Sequence, residues 1–504
     1  MSLLRTKSVE QSIADTEEPA HKLKRELGPL DLTVFGVGVI IGTGIFVLTG
    51  EAAGTLAGPA IALSFVASAV ACGLAALCYA EFASTVPVAG SAYTFSYASL
   101  GELIAWIIGW DLILELALGS ATVASGWSQY LRVVMDETFG VNLPTWIDGD
   151  HHNLVAALIV LALTALLCLG IRISNRVNAA IVAVKLAVVL LVIFAGITYI
   201  KSGNLDPFVP ASGSKPAPGG ASSTSLLQDI GINTGTFGVG GIFTGAALVF
   251  FAFIGFDIVA TAAEETKKPQ RDLPIGIFTS LAICTILYVA VSIVVTGMVK
   301  YNQISVEAPL AEAFRSVGQS TIAQIVSFGA LAGLTTVMLI LMLGQSRVFF
   351  AMSRDRLLPP VFARVSERWR VPYRTTIATG IGVALLTFFV SLTTLAQLVN
   401  IGTLFAFVLV SIGVVVLRRT RPDLRRAFRT PLVPLVPILS VLASFWLMLN
   451  LPGQTWARFG IWMAAGLVLY FAYSRRRSRL AGGEQTPPPG AARQGPATAP
   501  GSAG

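Results

Sequence analysis

Long apolar runs, each closed by a short polar stretch, recur along nearly the whole chain. Twelve candidate spans can be drawn, near residues 30–50, 58–80, 102–130, 153–170, 176–200, 240–264, 273–299, 322–348, 375–392, 397–417, 432–451 and 456–473. Runs of this length predict transmembrane helices. A bilayer core needs about 20 apolar residues per crossing, and lipid offers no partner for a free backbone amide. The reading is an all-α integral membrane protein of about twelve helices. Residues 1–29 form a polar tail, 30–475 the membrane domain, and 476–504 a second tail, basic and then disordered, with the Pro487–Pro488–Pro489 run inside it. The first apolar run flows into a glycine-rich segment with no small-residue cleavage site, so no cleaved leader is expected. The loop near 201–238 is rich in Pro, Gly and Ser and is expected to be irregular.

Composition sharpens this picture. Hydrophobic residues make up 54% and charged residues 12% of the 504, against roughly 25% charged in soluble domains. The net charge of +8 invites a nucleic-acid partner, but its distribution argues otherwise. Of 35 lysines and arginines, 28 fall on one side of the bundle and six on the other, with Lys185 inside a span. That bias places both termini in the cytoplasm and explains the basicity as topology. Cys72, Cys78, Cys168 and Cys284 all lie in apolar runs and read as core residues, with neither disulfide nor metal spacing. His21, His151 and His152 lie outside the spans. No nucleophile–base pair and no metal-ligand cluster is visible, so neither an enzyme nor a metal or cofactor is expected.

Three places break the rules of a membrane helix. The first span carries Gly36, Gly38, Gly42 and Gly44 within nine residues, and each glycine costs a helix about 1 kcal/mol relative to alanine. One reading is an interruption near mid-membrane that offers free amides and a helix dipole to a carboxylate. The other is close helix packing through Gly38-x-x-x-Gly42. The sixth span sets Gly255 and Asp257 in an aromatic run, Phe250-Phe251-Ala252-Phe253-Ile254-Gly255-Phe256-Asp257. Spans 1 and 6 open two successive five-helix units, and interrupted helices at corresponding positions point to a transport site. The third anomaly is buried charge. Lys185 follows Arg176 by nine residues, which puts it roughly 13 Å into the membrane. A lysine at that depth either snorkels or marks an ion or proton path. Glu115 and Asp257 belong to the same class, while Asp31, Glu81, Glu264 and Glu265 sit near span ends.

At these residues the chain resembles the amino acid–polyamine–organocation permeases, in particular the cationic amino acid transporter branch and its bacterial relatives. The matching segments are Gly38-Val-Ile-Ile-Gly-Thr-Gly-Ile-Phe46, Phe251-Ala-Phe-Ile-Gly-Phe-Asp257 followed by Glu264 and Glu265, Ala351-Met-Ser-Arg354-Asp355-x-x-Leu-Pro359, and Asn400-Ile-Gly-Thr-Leu404. The resemblance implies the LeuT-like fold: inverted repeats over about 30–200 and 240–417, then two C-terminal helices. It also implies secondary active transport of amino acids across the cytoplasmic membrane by alternating access, as proton symport. Exchange of amino acids or polyamines on the same fold stays open, and so does a channel or membrane-embedded enzyme as a different class.

Carried over, the substrate carboxylate falls on the amides of Gly42, Thr43 and Gly44. The ammonium falls on the carbonyls of Phe251, Ala252 and Ile254, with those of Ile40 and Ile41 nearby. Phe251 is the implied aromatic lid, Lys185 the implied proton-coupling group, Glu115 and Asp257 acidic neighbours of the pocket, and Met338 a wall. The implied partners are an amino acid, protons and lipid, with no nucleic acid; a small partner subunit is left open. A bulky residue at Gly42 or Gly44 is expected to abolish binding while leaving folding intact.

Overall fold

The apolar runs fold as helices throughout. The computed structural model describes residues 26–85, 91–141, 148–149, 152–170, 175–218, 224–232, 235–364, 371–424 and 426–478, together with 144 and 366. Most of the first tail and the tail beyond 478 lie outside these, as does His151 among the residues named above. Among the described residues the strands are one two-residue antiparallel pair, Asp148–Gly149 with His152–Asn153.

The helices are α1 (Pro29–Ile40), α2 (residues 44–57), α3 (Ile61–Thr85), α4 (Ser91–Ser99), α5 (Glu102–Phe139), α6 (Leu154–Cys168), α7 (Asn175–Ile197) and α8 (Gly238–Val249). They continue as α9 (Phe256–Thr261), α10 (Pro269–Met298), α11 (Pro309–Ser316), α12 (Ser320–Arg354), α13 (Tyr373–Phe389), α14 (Leu392–Thr420), α15 (Leu435–Leu449) and α16 (Gly453–Leu469). Among the described residues, eight continuous helical segments are long and apolar enough to cross a membrane. Pro29–Ile40, Leu154–Cys168, Tyr373–Phe389 and Leu435–Leu449 are shorter apolar helices. The loop over 201–238, expected to be irregular, is anchored at described residues. The Ala217 amide donates to the Gly54 carbonyl at 2.9 Å and the Phe237 amide to that of Leu56 at 2.7 Å.

The middle of the bundle is an antiparallel pair, α5 against α12. Gly119 faces Leu341, Gly344 faces Leu116, and Trp127 Nε1 donates to Thr335 at 3.0 Å. The missing side chains let the two axes approach closely. On another face of α5, Gly402 of α14 makes room for Asp111. Helix α16 docks by stacking Trp462 on Trp110, ring centroids 4.4 Å apart. Trp106 and Trp110 each donate an indole N–H, 2.9 Å long, to carbonyls of Gly466 and Trp462. Large apolar side chains stand exposed around the periphery, among them Leu158, Leu161, Leu385, Ile461 and Val468. Such a rim is what lipid covers.

Each end of the bundle is tied by ions. At one, Glu81 is 2% exposed and accepts from Arg418 at 2.9 and 2.7 Å and from the Thr430 amide at 2.8 Å, with Arg426 Nε 3.4 Å away. At the other, Arg315 meets Asp136, Glu137 and Glu312 at 3.0–3.2 Å, and Arg132 pairs with Glu307. Glu81 and Arg426 are buried there and Arg418 partly so, and removing the carboxylate strips both guanidinium groups of the acid they share. Glu81→Ala is expected to cost about 3–5 kcal/mol, read as a lowered melting temperature in detergent. An unchanged melting temperature would contradict this account of how α3 is held to α14.

Candidate substrate site

The first break follows from what a helix end leaves undone. Helix α1 stops at Ile40, and Ile41 is extended with φ −72° and ψ 98°. The Gly42 carbonyl then accepts from the amides of Ile45 and Phe46, both at 3.2 Å, and opens the next helix. The amides of Gly42, Thr43 and Gly44 meet no acceptor among the described residues. Thr43 Oγ1 is likewise buried without a partner there. Three N–H groups at the start of α2 therefore converge with the positive end of a helix dipole, a ready anion site.

The carbonyl side of the same break is closed by side chains. Lys185, 0% exposed, reaches from α7 and donates Nζ to the carbonyls of Gly38 at 2.6 Å and Ile41 at 3.2 Å. Its methylene stem lies against Gly333 of α12. Tyr288 of α10 donates its hydroxyl to the Ile40 carbonyl at 2.8 Å. The helix is interrupted, and glycines of the cluster also pack closely against neighbouring helices. A Cβ at Gly36 would strike Ser280, and one at Gly38 would strike Val182. Gly44 is also a packing residue: its Cβ would lie 2.2 Å from Ala252 Cα, where the two broken helices cross. At Gly42 a Cβ would sit 3.6 Å from Val337, an ordinary contact. The expectation that Gly44 could be enlarged without cost to folding therefore fails, because the atom it would meet is backbone.

The second break repeats the pattern. Helix α8 ends at Val249, residues Phe250–Phe253 form a 3-10 turn, Ile254 is extended, and Gly255 takes φ +119° before α9 begins. That positive φ is one a side chain rarely adopts. Asn400 of α14 donates Nδ2 to the carbonyls of Ala247 and Leu248 at 2.7 and 2.9 Å. Phe251's carbonyl accepts from the Ile254 amide at 3.2 Å. The carbonyls of Ala252 and Ile254 meet no donor among the described residues. Asp257 Oδ1 accepts from the Gly255 amide at 3.2 Å, so this carboxylate braces the turn that carries it.

Between the breaks lies a narrow cavity. Its lining is Val39, Ile40, Gly42, Thr43 and Gly44; Glu115, Leu116, Gly119 and Val123 of α5; Phe251 and Ile254; and Val337 and Leu341 of α12. About 20 Å³ is open to the centre of a water molecule, room for little more than one ordered water. Of the residues singled out from sequence, Ile40, Gly42, Thr43, Gly44, Glu115, Phe251 and Ile254 meet here. Ile41, Ala252, Asp257 and Met338 do not line it; Met338 is buried in the core, and its neighbour Val337 supplies that wall. Sequence reasoning missed Tyr288, Val337 and Leu341. The last two stand four residues apart on one face of α12, a spacing the sequence carries without saying which face looks inward.

Comparison with known proteins gives the family. The amino acid permease family matches residues 27–472. The chain is 45% identical to a methylthioribose transporter of Bacillus subtilis (strain 168) over 486 residues, 95% of this chain and 99% of that protein. It is 49% identical to the branched-chain amino acid permease BcaP of the same strain over 489 residues, again 95% and 99% of the two chains. Across a wider distance it is 31% identical to cationic amino acid transporter 4 of Homo sapiens over 601 residues, 95% of this chain and 90% of that one. With a matched family over most of its length and membrane-length helices throughout, the chain belongs to the amino acid permease family, a family of transporters and not of enzymes.

Proposed function

We propose that this permease imports amino acids across the cytoplasmic membrane together with protons, by alternating access. The observation that carries the proposal is the pairing of two broken helices at one point, with unpaired amides on one and unpaired carbonyls on the other. A zwitterion in a dry site needs both. Its carboxylate docks on the amides of Gly42, Thr43 and Gly44, and its ammonium on the carbonyls of Ala252 and Ile254. Phe251, 7% exposed, closes over it. The walls facing the substrate side chain are Leu116, Val123, Val337 and Leu341, which favour an aliphatic substrate, in keeping with the likeness to a branched-chain permease.

The same proposal counts twelve crossings: the shorter apolar helices join the long ones, and α1 with α2 forms a single interrupted span. Residues 30–200 and 240–417 are then inverted repeats, with both termini on the basic, cytoplasmic side. Lys185 couples the proton. Protonated, it ties α7 to the Gly38 and Ile41 carbonyls; on losing its proton towards the cytoplasm it releases that segment and lowers substrate affinity. Coupling requires that affinity differ between the two protonation states.

Protein reconstituted in liposomes is expected to accumulate leucine or isoleucine under an inward proton gradient, with excess arginine competing weakly. Lys185→Gln is expected to abolish accumulation. A Lys185→Gln protein that still concentrates substrate with the gradient would end the proton-switch reading, and a native protein indifferent to the gradient would end symport. The glycines give a second test. Gly42→Ala is expected to keep a near-native melting temperature but to weaken substrate-induced stabilisation about tenfold in ligand concentration. Gly44→Ala is expected to lose folded protein. Equal behaviour of the two variants would contradict the division between site and crossing.

A further inference from the structure

One buried acid remains outside this account. Asp111 lies on α5, one helical turn before Glu115, and is 0% exposed. Neither of its carboxylate oxygens has a hydrogen-bond partner among the described residues. Gly402 of α14 leaves space for it, since a Cβ there would come within 2.8 Å of Oδ1. Glu115, 3% exposed, stands in the cavity wall, and its charge is felt together with those of Asp111 and Asp257. Three carboxylates thus gather in the membrane interior with no lysine or arginine paired to any of them among the described residues.

The groups facing Asp111 can be named helix by helix. Its own helix contributes Glu115, one turn on, and α3 contributes the Tyr79 phenol, while Asp257 of α9 interacts with Glu115. From α14 come Gly402 and Thr403, whose hydroxyl donates to the Val399 carbonyl at 3.1 Å. On α12 the charged side chain of this stretch, Arg347, is exposed. Neither carboxylate oxygen of Asp111 meets a cationic donor among the described residues. Leaving a carboxylate ionised and unpaired in such a place is prohibitive, so it holds a proton or lies open to water.

Position gives the direction. Helix α5 starts at Glu102, whose carboxylate accepts from Ser478 at 2.8 Å near the arginine-rich end of the chain. Four residues of rise put Asp111 about 6 Å closer to that end than Glu115, and the two share one face of the helix. We propose that Asp111 is a proton-carrying site, the lower station of a relay that passes a proton from Glu115 at the cavity to Asp111 and on to the basic end of the bundle. Its ligand is the proton alone, moved through water between two carboxylic oxygens. The inference rests on the proton-coupled reading above, and adds an exit path distinct from Lys185.

The test compares two modes of transport in liposomes. Counterflow of labelled against unlabelled leucine needs no net proton movement, whereas accumulation under an inward proton gradient does. Asp111→Asn mimics the protonated acid and is expected to keep counterflow within about twofold while accumulation falls about tenfold or more. Asp111→Glu is expected to retain most of the accumulation. If native protein ignores the gradient, the symport reading fails. If native protein responds and Asp111→Asn accumulates equally well, only the relay fails. Loss of counterflow and accumulation together, in both variants, would assign Asp111 a structural role and overturn the proposal. Should Asp111→Asn not fold, the native chain decides: dicyclohexylcarbodiimide attacks protonated carboxylic acids in apolar surroundings. Mass spectrometry is expected to find the adduct on Asp111, diminishing as pH rises. Labelling of Glu115 with none at Asp111 would overturn the relay.

Discussion

Free backbone groups at two helix breaks, deep in an apolar bundle, set the terms for everything around them. Each unsatisfied N–H or C=O there costs several kcal/mol, so a break survives only if partners arrive from other helices. On the carbonyl side they do, and the donors come from three different elements. Lys185 of α7 and Tyr288 of α10 hold the end of α1, while Asn400 of α14 holds the end of α8. What the protein leaves unpaired is then a matched set, amides on one break and carbonyls on the other. The bundle is finished except at the place where a zwitterion would finish it.

Close approach is the second consequence. Amides and carbonyls from separate helices reach one small molecule only if the backbones nearly touch, and Gly44 against Ala252 is that contact. The halves on the basic side are joined as well. Backbone amides of Glu26 and Leu27 donate to the Glu265 carbonyl at 2.9 Å, and Lys267 returns a bond of the same length to Leu27. This strand-like clasp links the segment leading into α1 with the segment leaving α9. The two broken helices are thus joined at their crossing and again through this clasp.

Much of this was legible in the residues. The glycine cluster over 36–44 marked the region of the first break, and Gly255 in an aromatic run marked the second, although packing alone would also account for glycines in such helices. Depth alone singled out Lys185. The rest depended on facts a sequence does not carry. Tyr288 reads as one more aromatic in an apolar run until its hydroxyl is seen on the Ile40 carbonyl. Met338 and Val337 differ by one position, about 100° of helical rotation, and only packing decides which faces the cavity. Asp257 looks like a pocket acid by proximity, yet its oxygen is engaged with the Gly255 amide. Asp111, nine residues into its span, stands as deep as Lys185 and the depth rule could have found it, but nothing in the pattern reveals that its oxygens are buried and unpaired.

The central claim is that both ends of a zwitterion are read at once, one by each broken helix. Thermal stabilisation of the purified protein by three compounds of one shape tests it most directly: leucine, isopentylamine, which lacks the carboxylate, and 4-methylpentanoate, which lacks the amine. The account predicts that leucine raises the melting temperature and that neither half-molecule does so at tenfold or greater excess. Stabilisation by the amine or the acid alone, comparable to that given by leucine, would contradict it.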